Sequence, residues 1–191
     1  MVSQSKEKMQ KEKIKPTRLR KARQLCQFRN IKEKINKTQK THQGAKTSEI
    51  NQLLTCSPHF IGCYAENEVE KIKITSFPCF LIVNLDHDKL PGSHWIALHV
   101  TKTKIEIWDT LGLRLLDWPT VPCNLLKFLH SHVISRKIVV SRRIQHDSSI
   151  LCGYYCILFV ICRPFMSFSS LVNMFSSNFA VNDKILIKFF L

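Results

Sequence analysis

Apolar and polar positions divide the chain into two textures. Residues 1–46 are rich in Lys, Gln and Thr and hold few large apolar side chains, a composition that buries too little surface to offset ordering entropy. From Thr47 onward apolar positions recur with regular spacing. Thr47 or Ser48 caps a short helix over 49–54, with Ile50, Leu53 and Leu54 on one face. The turn-like CSPHFIGCYAENE then leads into an apolar segment around Phe60 and Ile61. Residues 79–86, CFLIVNLD, form a dense run with β-branched members, as a buried strand requires. A loop with Pro91 and Gly92 follows, and SHWIALHV (93–100) and KIEIWDT (104–110) read as an antiparallel hairpin. Leu125, Leu126, Leu129 and Val133 repeat at helical spacing within 123–134, and KIVVSRRI (137–144) is a further short strand.

The pattern culminates in QHDSSILCGYYCILFVIC, residues 145–162. A polar approach gives way to Cys152, Gly153 and an unbroken apolar and aromatic run. A helix apolar on every side must pass through the interior of a domain. Arg163 and Pro164 stop it, a short helix follows over 169–175, and 182–191 suits a helix or a strand equally. The order predicts an α+β domain over 47–191, preceded by a tail (1–46) that is disordered or partly helical. Its sheet is small, mostly antiparallel or mixed, and packed against helices around a central buried one.

Candidate chemistry follows from these placements. A hairpin loop at Thr101 and Lys102 sets His94 directly opposite Asp109, with both side chains on one face. An imidazole beside a carboxylate is the base and its orienter in a nucleophilic triad. Cys152 opens the buried helix, where free backbone N–H groups and the positive dipole end favour thiolate. Gln145, seven residues upstream, offers an amide that donates to an oxyanion alongside the Cys152 backbone N–H. Asp147 competes with Asp109 for the acidic role but lacks the hairpin register. His99 reads as structural, and His146 only neighbours Gln145. Trp95 and Trp108 point away from the His94 face, so they read as packing, as do Cys56, Cys63, Cys79, Cys123, Cys156 and Cys162.

Charge and cysteine usage narrow the setting. The net charge is +15, and residues 1–50 carry fifteen Lys/Arg against four Glu. The tail is therefore either a solvated segment or an arm drawn to polyanions, with KPTRLRKAR (15–23) as a nuclear address. The start MVSQSKEKMQKEK has no apolar signal core, so the eight cysteines are expected reduced and the chain intracellular. No Cys-x-x-Cys pair exists, so no metal site is expected. The run from Ile150 to Cys162 is too short to span a bilayer.

The order His94, Asp109, Gln145, Cys152, with its His-Trp and Cys-Gly flanks, resembles the adenovirus-type cysteine proteases (adenain), in the group that also holds the SUMO-removing proteases. PHFIGCY (58–64) is similar to an early segment of that family. CFLIVNLD with GSHWIALHV resembles its histidine strand, and IWDTLG (107–112) its acidic strand. Gln145 followed by Cys152-Gly153-x-x-Cys156 resembles its nucleophile signature. The acid is Asp109, as in the SUMO-protease branch, where adenoviral enzymes commonly have Glu. The resemblance covers about residues 47–191 and implies a monomeric cysteine endopeptidase with His94, Asp109, Gln145 and Cys152 as its catalytic set. It further implies precursor proteins of a virus or virus-derived element as substrates, cut after Gly, in the nucleus or virion. DNA, bound non-specifically by the tail, and a peptide activator are the cofactors it suggests, neither required by the residues themselves. The stretch just before Gln145 has no cysteine to form the disulfide through which the adenoviral peptide acts. Two other readings stand beside it: an isopeptidase for ubiquitin-like modifiers, and a catalytically silent DNA-binding protein on the same scaffold.

Overall fold

The computed structural model describes residues 28–38, 43–112, 121–133 and 136–190. Helix α1 covers 28–38, and α2 is Thr47–Leu54. Strand β1 (Phe60–Ala65) and the one-turn helix α3 (Glu66–Val69) precede β2 (Cys79–Asn84), β3 (Trp95–Val100) and β4 (Lys104–Trp108). Helix α4 (Cys123–Val133) leads to β5 (Lys137–Val140), and α5 spans Cys152–Cys162. Helices α6 (Phe168–Asn173) and α7 (Asn182–Phe189) close the described chain.

The strands form one sheet in the order β1-β2-β3-β4-β5. The two inner pairings, β2 with β3 and β3 with β4, are antiparallel, and the two outer ones, β1 with β2 and β4 with β5, are parallel. Parallel neighbours need a crossover. Here α3 with its following loop, and α4, supply them. Strands β2 and β3 are buried along their whole length because helices cover both faces of the sheet. Alternation along β3 sorts its side chains. Trp95 and Ala97 join the core built around α5, whereas Ile96, Leu98 and Val100 join the core under α4.

The hairpin turn differs from the expected one. Thr101 N donates to Lys104 O, and Thr101 Oγ1 accepts from the backbone N–H groups of Thr103 and Lys104. The side chain of Thr101 thus closes a four-residue turn, and the ladder pairs Val100 with Ile105 and Leu98 with Ile107. His94 does not face Asp109 across the ladder, as a two-residue loop would require. The offset is two positions, an even number, so both side chains keep to one face. Each stands one residue beyond the end of its strand.

Three further segments are settled by packing. Residues 60–65 pair with β2 as a strand. Residues 182–189 are helical, which buries Leu186 in the core and leaves Lys184 and Lys188 toward the outside. Within the segment assigned to the tail, α1 carries Phe28, Ile31 and Ile35 at helical spacing. Ile31 and Ile35 are fully buried in the α5 core. Thr38 Oγ1 hydrogen-bonds Tyr154 Oη at 2.9 Å, and Lys34 pairs with Glu49 at 2.9 Å. The basic residues of this helix mask an apolar stripe. KPTRLRKAR lies outside the described residues.

Removing a buried isoleucine side chain leaves a cavity, so Ile35→Ala should lower stability by about 2–5 kcal/mol in urea unfolding. A helix 28–38 that is independent of the domain would leave the midpoint unmoved.

Candidate active site

Helix α5 begins at Cys152, and all eleven of its residues are buried. As the first helical residue, Cys152 has a backbone N–H ahead of the intrahelical ladder. The glycine after it is a packing requirement: a Cβ on Gly153 would come within 2.9 Å of Ala45 Cβ and 3.3 Å of Trp95 Cδ1. Segment 43–47 lies against the helix start at that point. Trp95 Nε1 donates to Ala45 O at 3.0 Å and ties the segment to the sheet.

His94 and Asp109 meet at the end of the hairpin, Nε2 to Oδ1, at 2.9 Å. Asp109 is fully buried and held from several sides. Its N–H donates to Ser141 Oγ, the Ser141 hydroxyl donates back to Asp109 O at 2.7 Å, and Leu111 N–H donates to Oδ1 at 3.1 Å. With Nε2 taken by Asp109, Nδ1 is the ring nitrogen left for a partner at the cleft, which His94 and Cys152 line together. Burial pushes the imidazole pKa down, but the hydrogen bonds to Asp109 and Cys152 together outweigh it and raise it to about 9.

Gln145 sits just ahead of α5. Its N–H donates to Thr110 O at 2.8 Å, and its side-chain Oε1 accepts from the Thr110 hydroxyl. Nε2 donates one hydrogen to Ser149 O at 2.9 Å, and an amide has a second. An open cleft of about 800 Å³ runs past these groups, lined by His94, Trp95, Gln145 and Cys152 with residues from segments 43–47 and 84–93. His94, Asp109 and Cys152 are thus brought together, and Gln145 opens onto the same cleft.

Other candidates fall elsewhere. Asp147 is 79% exposed and paired with Arg143. His146 is exposed and bonds to Ser148. His99 is at the opposite end of β3, bound to Glu106 at 2.8 Å and stacked on Phe80 at 4.3 Å between ring centroids. Trp108 stacks on Phe159 in the core, while Trp95 is both core and cleft wall. Burial pushes the Cys156 thiol well up and Cys162 to about 12, in keeping with inert packing. Cys56 and Cys123 are exposed, against the expectation that they pack. Among the described residues, no group of three or more His, Cys, Asp and Glu is placed to hold a metal ion, and no helix is long and apolar enough to cross a membrane.

The residues that position the site had no local signature. Thr110 and Ser141 fix Gln145 and Asp109 from other segments. Asn182 Nδ2 donates to Ile144 O at 2.6 Å, and Asp183 Oδ1 accepts from Ser149 Oγ and Tyr155 Oη. The start of α7 thereby pins the loop from Ile144 to Leu151.

No protein-family profile and no curated protein matches this sequence. Among solved structures, the chain is similar to a protease of ASFV at 21% identity and a TM-score of 0.39, over 59% of this chain and 43% of that one. The match thus spans less than half of the ASFV protease. A second similar structure is the SUMO protease Ulp1 with its catalytic cysteine oxidised to a sulfinic acid, at 14% identity and a TM-score of 0.39, over 78% of this chain and 80% of that one.

Because the folded ring binds its proton more tightly than the usual 6.5 allows, the stability that His94 contributes is complete below about 6.5 and is lost as pH rises through about 9. Urea midpoints measured across that window should fall with pH in the wild type, and His94→Gln should flatten that part of the fall. Equal slopes in the two proteins would contradict the assigned pairing.

Proposed function

We propose that the chain is a cysteine endopeptidase. The observation that carries this reading is His94, bound to the buried Asp109 carboxylate and lining one open cleft with the Cys152 thiol that opens a buried helix. The raised imidazole pKa makes His94 a stronger base toward the thiol, and Asp109 holds the imidazolium that it becomes. Cys152 Sγ attacks a peptide carbonyl, and the C–O π pair moves onto oxygen. The Cys152 N–H and the second Nε2 hydrogen of Gln145 donate to that oxyanion. Collapse expels the amine, which takes its proton from His94 and leaves a thioester. Water then attacks the thioester with His94 accepting a proton. The acid is released and the thiol restored. Asp109 keeps the ring oriented throughout and does not itself exchange a proton.

The substrate is a polypeptide, and the resemblance to adenovirus-type proteases favours precursor proteins cut after a small residue such as Gly. Ubiquitin-like modifiers are the second substrate class, kept because the acid is Asp109. The catalytically silent reading is opposed by the joined His94, Asp109 and Cys152. The basic arm supports a role for DNA as a stimulant, and activity indifferent to added DNA at low salt would remove that role.

Cys152→Ala should abolish hydrolysis of precursor proteins and of fluorogenic probes ending in Gly. Gln145→Ala should lower kcat by about 10²-fold or more with KM little changed, because its donor acts on the oxyanion. Turnover of a ubiquitin-like C-terminal probe without cleavage of precursors would select the isopeptidase reading. Thr110→Val keeps the volume and removes the hydroxyl that holds Gln145 Oε1; kcat should drop roughly tenfold, a partial loss in the same direction.

A further inference from the structure

The charges along the cleft are not equivalent. Asp86, Asp88, Asp147 and Lys46 line it. Asp88 is about half exposed to solvent, with the His87 ring beside it, and Asp147 is 79% exposed and paired with Arg143. Asp86 has no cationic partner among the described residues. It is also fixed in place. Its N–H donates to Asn84 Oδ1 at 2.9 Å, its carbonyl accepts from Glu66 N–H at 3.1 Å, and Oδ1 accepts from the Ser93 hydroxyl at 2.9 Å. Ser93 directly precedes His94, so the carboxylate is tied to the same loop end as the imidazole.

The loop does not need this charge. Ser93 engages one carboxylate oxygen, and an amide oxygen would serve that bond equally well. A half-buried carboxylate with no cation beside it retains a net attraction for one. Leu90, on the same loop and also lining the cleft, is 56% exposed. An ammonium or guanidinium on a long methylene stem matches both features, head to Asp86 and stem along Leu90.

We infer that Asp86 makes the cleft selective for polypeptides with a lysine or arginine close to the scissile bond. This deepens the endopeptidase reading and rests on it. Asp88, screened by solvent, and Asp147, held by Arg143, add little to the selection, while Lys46, from segment 43–47, supplies a cation of its own to the cleft.

The test uses the full chain and matched fluorogenic peptides that differ only in a Lys, Arg, Gln or Glu flanking the cleaved bond. The wild type should show a kcat/KM about tenfold higher for Lys or Arg than for Gln. Asp86→Asn, which preserves the Ser93 bond, should reduce that ratio to within about twofold, and Asp86→Lys should turn the preference toward Glu. Asp88→Asn should keep the wild-type ratio. No basic preference in the wild type, a preference that survives Asp86→Asn, or an equal loss in Asp88→Asn would each overturn the assignment. The same peptides are also titrated onto Cys152→Ala by fluorescence anisotropy, with and without Asp86→Asn. If nothing is cleaved, the endopeptidase reading fails alone. A basic preference in binding that disappears with Asp86→Asn then still upholds Asp86, and equal binding of all four peptides overturns it.

Discussion

The structure depends on enclosing α5. A helix with no polar face has no side that water stabilises, so the sheet, α1, α2, α6 and α7 must together surround it. Burying eleven consecutive residues in one helix commits much of the chain to a single packing arrangement. The N-terminus of this helix is where a thiol is most activated by backbone dipoles, and it emerges at the end of the sheet where the hairpin delivers His94. The main demand of folding and the main demand of chemistry are thus met by the same element.

The helix is anchored at both ends. At its start, Gly153 allows segment 43–47 to close against Trp95, and Asp183 receives Tyr155 Oη at 3.0 Å. At its end, Arg163 forms a two-bond fork with Glu106, at 2.6 and 2.9 Å, on β4. Glu106 is almost fully buried and also binds His99 and Lys104. Burial pushes its carboxyl up, but the hydrogen bonds from His99, Arg163 and Lys104 win and hold it well below the usual carboxylate range. A buried carboxylate bound by Arg163, Lys104 and the His99 ring is costly to break by removing one partner, and this network fixes α5 against the sheet far from Cys152. The distance from His94 to the sulfur is therefore set by rigid elements rather than by loop positions alone.

Within the site, Asp109, Gln145 and the loop before Cys152 are each held by a residue from a distant part of the sequence. Ser141 clamps the Asp109 backbone, Thr110 holds Gln145, and Asn182 with Asp183 hold the loop between Gln145 and Cys152. These bonds are buried or partly buried, where an unmade partner is expensive, so they are well suited to preorganising donors for an oxyanion. The cleft beside them keeps one carboxylate, Asp86, fixed by Ser93 and without a cationic partner among the described residues.

By itself the sequence determined the identity and limits of the buried helix and the hairpin with its His94 and Asp109 on one face. Those features follow from periodicity and from alternation, which act within one segment. The even offset of the hairpin illustrates the boundary: the turn chemistry of Thr101 moved the register, yet parity preserved the face. Only the tertiary structure decided that α1, basic in composition, lends Ile31 and Ile35 to the core, and that 182–189 is a helix. It alone brought Thr110, Ser141, Asn182 and Asp183 to the site and left Asp86 without a cation among the described residues. These outcomes depend on contacts between segments far apart in the chain, and a local pattern carries no information about which of its exposed polar groups another segment will meet.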